Sequence, residues 1–136
     1  MSIQIRDRDS TSRTAYGDSI GPAARAVVTA VAGSTAALQA VMNRADRHPA
    51  SPREAFAAFI AYRRAQAQVD AAVAQYAAWL LVGGVTRSAL ARGLGVRPAS
   101  VARLLAPVEH LASARGQDLV QGADGTWAVH MLEAVQ

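Results

Sequence analysis

Apolar side chains recur at helical spacing through most of the chain between residues 21 and 106. From Pro22, a residue suited to the first turn of a helix, the stripe Val27, Val31, Ser34, Leu38, Val41, Ala45 predicts a helix that ends before His48-Pro49. A second helix has clearer punctuation. Ser51-Pro52-Arg53-Glu54 offers a capping serine, a first-turn proline and a glutamate three residues after the serine, as in a capping box. Nothing then interrupts it before Gly83-Gly84, and at 1.5 Å per residue it would be a rod of about 46 Å. Its large side chains at Phe59, Tyr62, Gln66, Val69, Val73, Tyr76 and Leu80 alternate in steps of three and four, a heptad seam that needs a partner. That partner is expected to be the preceding helix, or the same helix of a second copy. Beyond Pro107, PVEHLASA predicts one more short helix closed by Gly116. The runs DLVQ and TWAVH around GADG predict a β-hairpin.

Composition narrows the class. A chain of 136 residues can bury a core without disulfides or a structural metal. It has no cysteine, which excludes thiolate zinc sites, catalytic thiols and a disulfide framework, and suits a reducing compartment. Alanine occurs 32 times, and all fourteen basic residues are arginine. Their distribution is uneven. Residues 83–117 hold Arg87, Arg92, Arg97, Arg103 and Arg115 against Glu109, so this stretch carries a net +4, as much as the whole chain. Such a concentration is the electrostatic footprint of a polyanion site.

Within that stretch, residues 87–106, RSALARGLGVRPASVARLLA, resemble the twenty-residue helix-turn-helix motif of bacterial and phage DNA-binding proteins. The small residue between the helices falls at Ala91 and the turn glycine at Gly95. The apolar positions that lock the unit fall at Leu90, Leu94, Val96, Val101 and Leu104, with Thr86 placed to cap the first helix. The resemblance implies that the second helix, from Pro98, enters the major groove, with Arg97, Ala99, Ala102 and Arg103 as base contacts. Arg103 is the strongest reader, because a guanidinium can pair bidentately with guanine. Arg97 stands where the family commonly has a capping Ser or Thr. Arg87, Ser88, Arg92 and Ser100 are the expected phosphate contacts. A hairpin after such a motif invites comparison with the wing of winged-helix proteins, but residues 118–136 contain three acids and no base. The hairpin is instead expected to pack Leu119, Trp127 and Val129 onto the domain, with Arg115 as its nearest DNA contact.

The expected architecture is therefore mainly α. A flexible arm (1–20) precedes a helical dimerisation region (21–82), a helix-turn-helix region (83–117), and a β-hairpin with its tail (118–136). Dimer contacts are expected from Phe59, Tyr62, Val69, Val73, Tyr76 and Leu80. The first nineteen residues mix both charge signs and lack the apolar run of a secretory signal. The eighteen uncharged residues between Arg25 and Arg44 reach the length of a membrane span, but Thr29, Gly33, Ser34, Thr35, Gln39 and Asn43 dilute them and no membrane association is expected. His48, His110 and His130 are far apart in sequence and no catalytic or phosphate-loop pattern occurs, so neither an enzyme, a metal nor a cofactor is expected. The expected function is sequence-specific binding of double-stranded DNA by a cytoplasmic, nucleoid-associated homodimer that acts as a repressor-like regulator. Plasmid partition, nucleoid organisation, and docking of a polymerase subunit or another regulator by the same unit stay open.

Overall fold

The computed structural model describes residues 5–44 and 48–130. Ala45, Asp46 and the tail after His130, including Glu133, lie outside the described residues. The chain is mainly helical, with one small antiparallel sheet near its C-terminus. Helix α1 spans Ser10–Asn43, α2 Pro52–Val82, α3 Arg87–Leu94 and α4 Pro98–Leu105. A 3-10 turn at Ala106–Val108 and the single-turn α5, Glu109–Ala112, precede strands β1, Leu119–Gln121, and β2, Trp127–Val129. The chain divides into two compact units. One combines residues 1–23 with 74–136, and the other comprises residues 24–73.

The first unit holds the main core, and its N-terminal segment is built into it. Helix α1 begins at Ser10 and not at Pro22, so residues 10–20 are its first turns and not an arm. Asp9 caps it, its carboxylate accepting the Ser12 N–H at 2.8 Å and the Ser12 hydroxyl at 3.0 Å. Ser12, Ala15 and Ala23 are buried, with Ile20 half-buried on the same stripe. Pro22 lies inside the helix, at the cost of one backbone hydrogen bond to the Asp18 carbonyl. Ahead of α1, Ile5 forms an antiparallel bridge with Val85, and the Arg6 N–H donates to the Gly84 carbonyl at 2.7 Å.

Against these turns pack Ala77, Ala78, Trp79, Leu81 and Val82 from the end of α2, then Ala91, Val101, Leu105, Leu111 and Leu119. Tyr76 is half-buried against this core, while Leu80 is half-buried and Val73 exposed. The last two turns of α2 therefore bury a different face from the seam drawn through positions 73, 76 and 80. The hairpin pairs Leu119 with Val129 and Gln121 with Trp127. Its turn is closed by Asp124, whose carboxylate accepts the Thr126 hydroxyl at 2.7 Å and the Thr126 N–H at 3.1 Å. As expected, Leu119, Trp127 and Val129 all face the core. The Trp127 indole N–H donates to Asp18 at 3.0 Å, tying the hairpin to α1.

The second unit consists of the remaining lengths of α1 and α2. The Ser51–Glu54 capping box forms as anticipated, with Glu54 N–H to Ser51 Oγ at 3.2 Å and Ser51 N–H to Glu54 Oε1 at 3.3 Å. Glu54 also pairs with Arg44, whose guanidinium holds the carboxyl below its usual range. Alanine dominates the inner face. On α2, Ala55, Ala58, Ile60, Tyr62, Ala65, Gln66, Val69 and Ala72 are the covered positions. On α1 they are Val27, Ala30, Ser34, Ala37 and Val41. Ser34 is buried but satisfied, donating to the Val31 carbonyl at 2.7 Å. Several large side chains assigned to the inner stripes, Val31 and Leu38 on α1 and Phe59 on α2, instead face solvent. Val31 and Leu38, together with Val28 and Met42, form an exposed apolar stripe on α1 at 28, 31, 38 and 42.

Candidate nucleic-acid interface

Helices α3 and α4 form the unit on which the basic residues converge. Thr86 ends the extended segment after Gly84-Val85, and its hydroxyl accepts the Ala89 N–H at 3.0 Å, capping α3. The helix stops at Gly95, which adopts the left-handed conformation with φ +67°. The Val96 N–H then closes back on the Ala91 carbonyl at 3.0 Å, the bond that ends many helices at a glycine. Pro98 starts α4 with its φ already suited to a first turn. Ala91 is buried where the two helices approach, and Val101 and Leu105 anchor α4 from below.

Of the residues expected to lock this pair, Val101 is buried and Leu90 and Leu104 are half-buried against the core. Leu94 and Val96 do not lock it. They are 55% and 41% exposed, because the turn at Gly95 carries both away from the core. Leu105, which the motif positions did not single out, takes the central place with 0% exposure. The signal for it was present as the residue four after Val101 on the same helical face.

The outward side of α4 carries Arg97, Ala99, Ala102 and Arg103, all exposed. Arg97 occupies the capping position without a side-chain capping bond, so its guanidinium is not used in closing the helix. Arg103 makes one long contact, 3.5 Å, to the hydroxyl of half-buried Ser100. Ser88 and Arg92 are exposed on α3. Between the helices lies a cavity of about 240 Å³, lined by Arg87, Ser88, Ala91, Pro98, Val101 and Ala102. Among the described residues, Arg92, Arg97 and Arg103 form no salt bridge.

Arg87 is differently placed. Its guanidinium donates to Glu109 at 2.7 Å and to the Ser113 hydroxyl at 3.2 Å, and that hydroxyl donates to the same carboxylate oxygen at 2.8 Å. The Ser113 hydrogen bond, then the Arg87 ion pair, lower the Glu109 pKa below the ordinary value of 4.5. A phosphate must therefore compete with Glu109 for Arg87. The unfolded chain, with the higher pKa, takes up protons first as the solution is acidified. The stability that Glu109 contributes is thus present above its unfolded pKa and is lost as pH falls through the folded one. Melting temperatures compared between pH 7 and pH 3 are expected to fall less for Glu109→Gln than for the parent chain. Equal falls would remove Glu109 from the acid response.

Other expected groups are elsewhere. Tyr62 and Val69 are turned to the inside of the 24–73 unit, and Tyr76 packs on the core. Among the described residues no group of three or more metal-ligating side chains occurs. No family model matches the chain, and neither a curated protein nor a solved structure matches it.

Proposed function

We propose that the chain binds double-stranded DNA sequence-specifically, as a homodimeric, repressor-like regulator in which α3 and α4 act as a helix-turn-helix. The observation that carries this reading is the two-sidedness of α4: Val101 and Leu105 are buried while Ala99, Ala102 and Arg103 face outward, with Arg97 exposed at the start of the helix. A helix anchored from one side, with Arg103 and small residues on the other and Arg97 at its N-terminal end, suits the width of the major groove. Arg103 reads guanine, Ala99 and Ala102 leave room for thymine methyl groups, and Arg92, Ser88 and Ser100 hold phosphates. In vivo this places the protein on the nucleoid.

Gel-shift titration on a duplex recovered by binding selection tests the reading. Arg103→Ala is expected to weaken the selected site by about 1–3 kcal/mol, or roughly 5- to 150-fold, and to relax preference at one base pair. Binding unchanged by both Arg103→Ala and Arg97→Ala would remove α4 from the groove. A competing reading, docking on another protein, is favoured by the exposed Leu94 and Val96. It requires Leu94→Ser with Val96→Ser to abolish capture of that partner, with no DNA bound at low salt.

The second copy is assigned to the outward face of α1. Val28 and Met42 there are 68% and 66% exposed, and Val31 and Leu38 continue the stripe within a run of eighteen uncharged residues. The corresponding stripe through Phe56, Phe59 and Val73 on α2 is broken by Arg63 and Asp70. Helix α1 is also long and apolar enough to cross a membrane by length and composition alone. A soluble dimer by sedimentation at micromolar concentration, converted to monomer by Val31→Glu with Leu38→Glu, is the expected result. A detergent-free monomer of the parent chain would refute it.

A further inference from the structure

A second cluster of arginines lies within the same compact unit as α3 and α4, sharing Arg87 with the cavity between those helices. A cavity of about 350 Å³ is lined by Arg6, Arg8, Arg87 and Arg115, with Thr86 and Ser113 among its polar walls. Four arginine residues from three separate parts of the chain line it. Arg6 is held by its backbone bond to Gly84, and Arg8 by donation to the Ala114 carbonyl at 2.9 Å. Arg115 is fixed through its own N–H, which donates to Asp118 at 2.9 Å, and Arg87 by Glu109 and Ser113.

Their charge is only partly balanced. Glu109 pairs with Arg87, the Asp9 carboxylate lies near Arg8, and Asp118 accepts the Arg115 N–H, so three acids stand against the four arginines. Like charges brought together around a cavity repel one another, and the repulsion is relieved when an anion enters.

We infer that this cavity is a binding site for a phosphate group. Guanidinium forks match the paired oxygens of phosphate, and the hydroxyl of Thr86 supplies a further donor. Its volume lies at the small end of the range for small-molecule sites. Because Arg87 and Thr86 form the beginning of α3, a phosphate held here competes with Glu109 for Arg87 directly at the helix start. The site follows from the lining alone and needs nothing from the DNA reading.

Calorimetric titration of the full chain with inorganic phosphate and with pyrophosphate, at constant ionic strength set by chloride, tests it. Saturable binding of one anion per chain is expected, tighter for pyrophosphate. Arg6→Ala combined with Arg115→Ala is expected to weaken it by about tenfold or more. Both side chains are exposed and the structural bonds of both residues run through the backbone, so circular dichroism should report an unchanged fold. Arg97→Ala with Arg103→Ala should leave the anion affinity within about twofold, as for distant sites. No saturable binding by about 10 mM, or equal weakening by the α4 pair, overturns the inference. Repeating the titration with a bound duplex separates the two sources of phosphate. Retained pyrophosphate binding indicates a free phosphorylated molecule, and its loss indicates a backbone phosphate of the duplex.

Discussion

Leu105→Ala is expected to cost about 2–5 kcal/mol of folding stability, a large share of the roughly 5–15 kcal/mol that a domain of ordinary stability possesses. The side chain is fully buried at the end of α4, within a core shared by Val101, Leu111, Ala91 and the last turns of α2. Truncation removes its transfer free energy and leaves a cavity. The surroundings come from several elements of the chain and cannot collapse onto it without moving all of them. Urea denaturation followed by circular dichroism gives the number. A loss below about 1 kcal/mol would mean that α4 is not anchored through this residue. The same variant separates scaffold from surface. Leu105 makes no outward contact, so any loss of DNA affinity should disappear under conditions where the variant is fully folded, whereas the loss in Arg103→Ala should persist.

The elements most legible from the residues were those with local punctuation. The Ser51–Glu54 box and Gly83-Gly84 bound α2 where the pattern placed its ends, and Thr86 and Gly95 bound α3 in the same way. Each of these signals acts within a few residues and is decided by backbone hydrogen bonding, so distant packing could not overrule it. The beginning of α1 was missed because its buried stripe is written in Ser12 and Ala15, which carry no hydrophobic signal, while Pro22 imitates a helix start. The inner faces of α1 and α2 were misdrawn in part for a related reason. Of the residues assigned inward, Val27, Ser34, Val41, Tyr62, Gln66 and Val69 are covered, but Val31, Leu38 and Phe59 are exposed and alanines fill much of the covered side. In a chain with 32 alanines, hydrophobic size marks the face that one copy leaves uncovered as readily as the face it buries.

The candidate interface was legible in part. Positions 99, 102 and 103 lie outward because helical periodicity determines their side of α4 once Val101 is inside, whereas Arg97 is exposed because it precedes the helix as its extended cap residue. That Arg87 is engaged by Glu109 and Ser113 was not legible. Those partners are 22 and 26 residues away, and only the path of the chain through the 3-10 turn and α5 brings them back. The convergence of Arg6 and Arg8 on Arg87 and Arg115 was still less so, since it depends on the N-terminal segment returning to the start of α3.

Gly84 makes that return possible, and Gly84→Ala is expected to destabilise the chain by about 2–6 kcal/mol. Two separate costs contribute. The backbone at Gly84 has φ +113°, where a residue with a Cβ is strained by about 1–3 kcal/mol. In addition, a Cβ there would stand 2.3 Å from the Arg6 carbonyl oxygen, a backbone atom that cannot rotate away, and 3.1 Å from Ile5 Cγ2. Overpacking of this kind adds about 1–3 kcal/mol unless the segment lifts off. Lifting would break the Arg6–Gly84 hydrogen bond and the Ile5–Val85 bridge, and would withdraw Arg6 from its cavity. Gly95→Ala provides the internal control, since φ there is also positive, at +67°, but nothing lies within 4 Å of the added carbon. It should cost about 1 kcal/mol, from conformation alone. Denaturation midpoints for the two variants, with amide hydrogen exchange at Arg6 as the local probe, measure the difference. If Gly84→Ala is no more damaging than Gly95→Ala and the Arg6 amide stays protected, the N-terminal segment does not lie against Gly84. If the segment does lie there, Gly84→Ala should lose both stability and Arg6 protection while α2, capped independently at Ser51, keeps its helical signal.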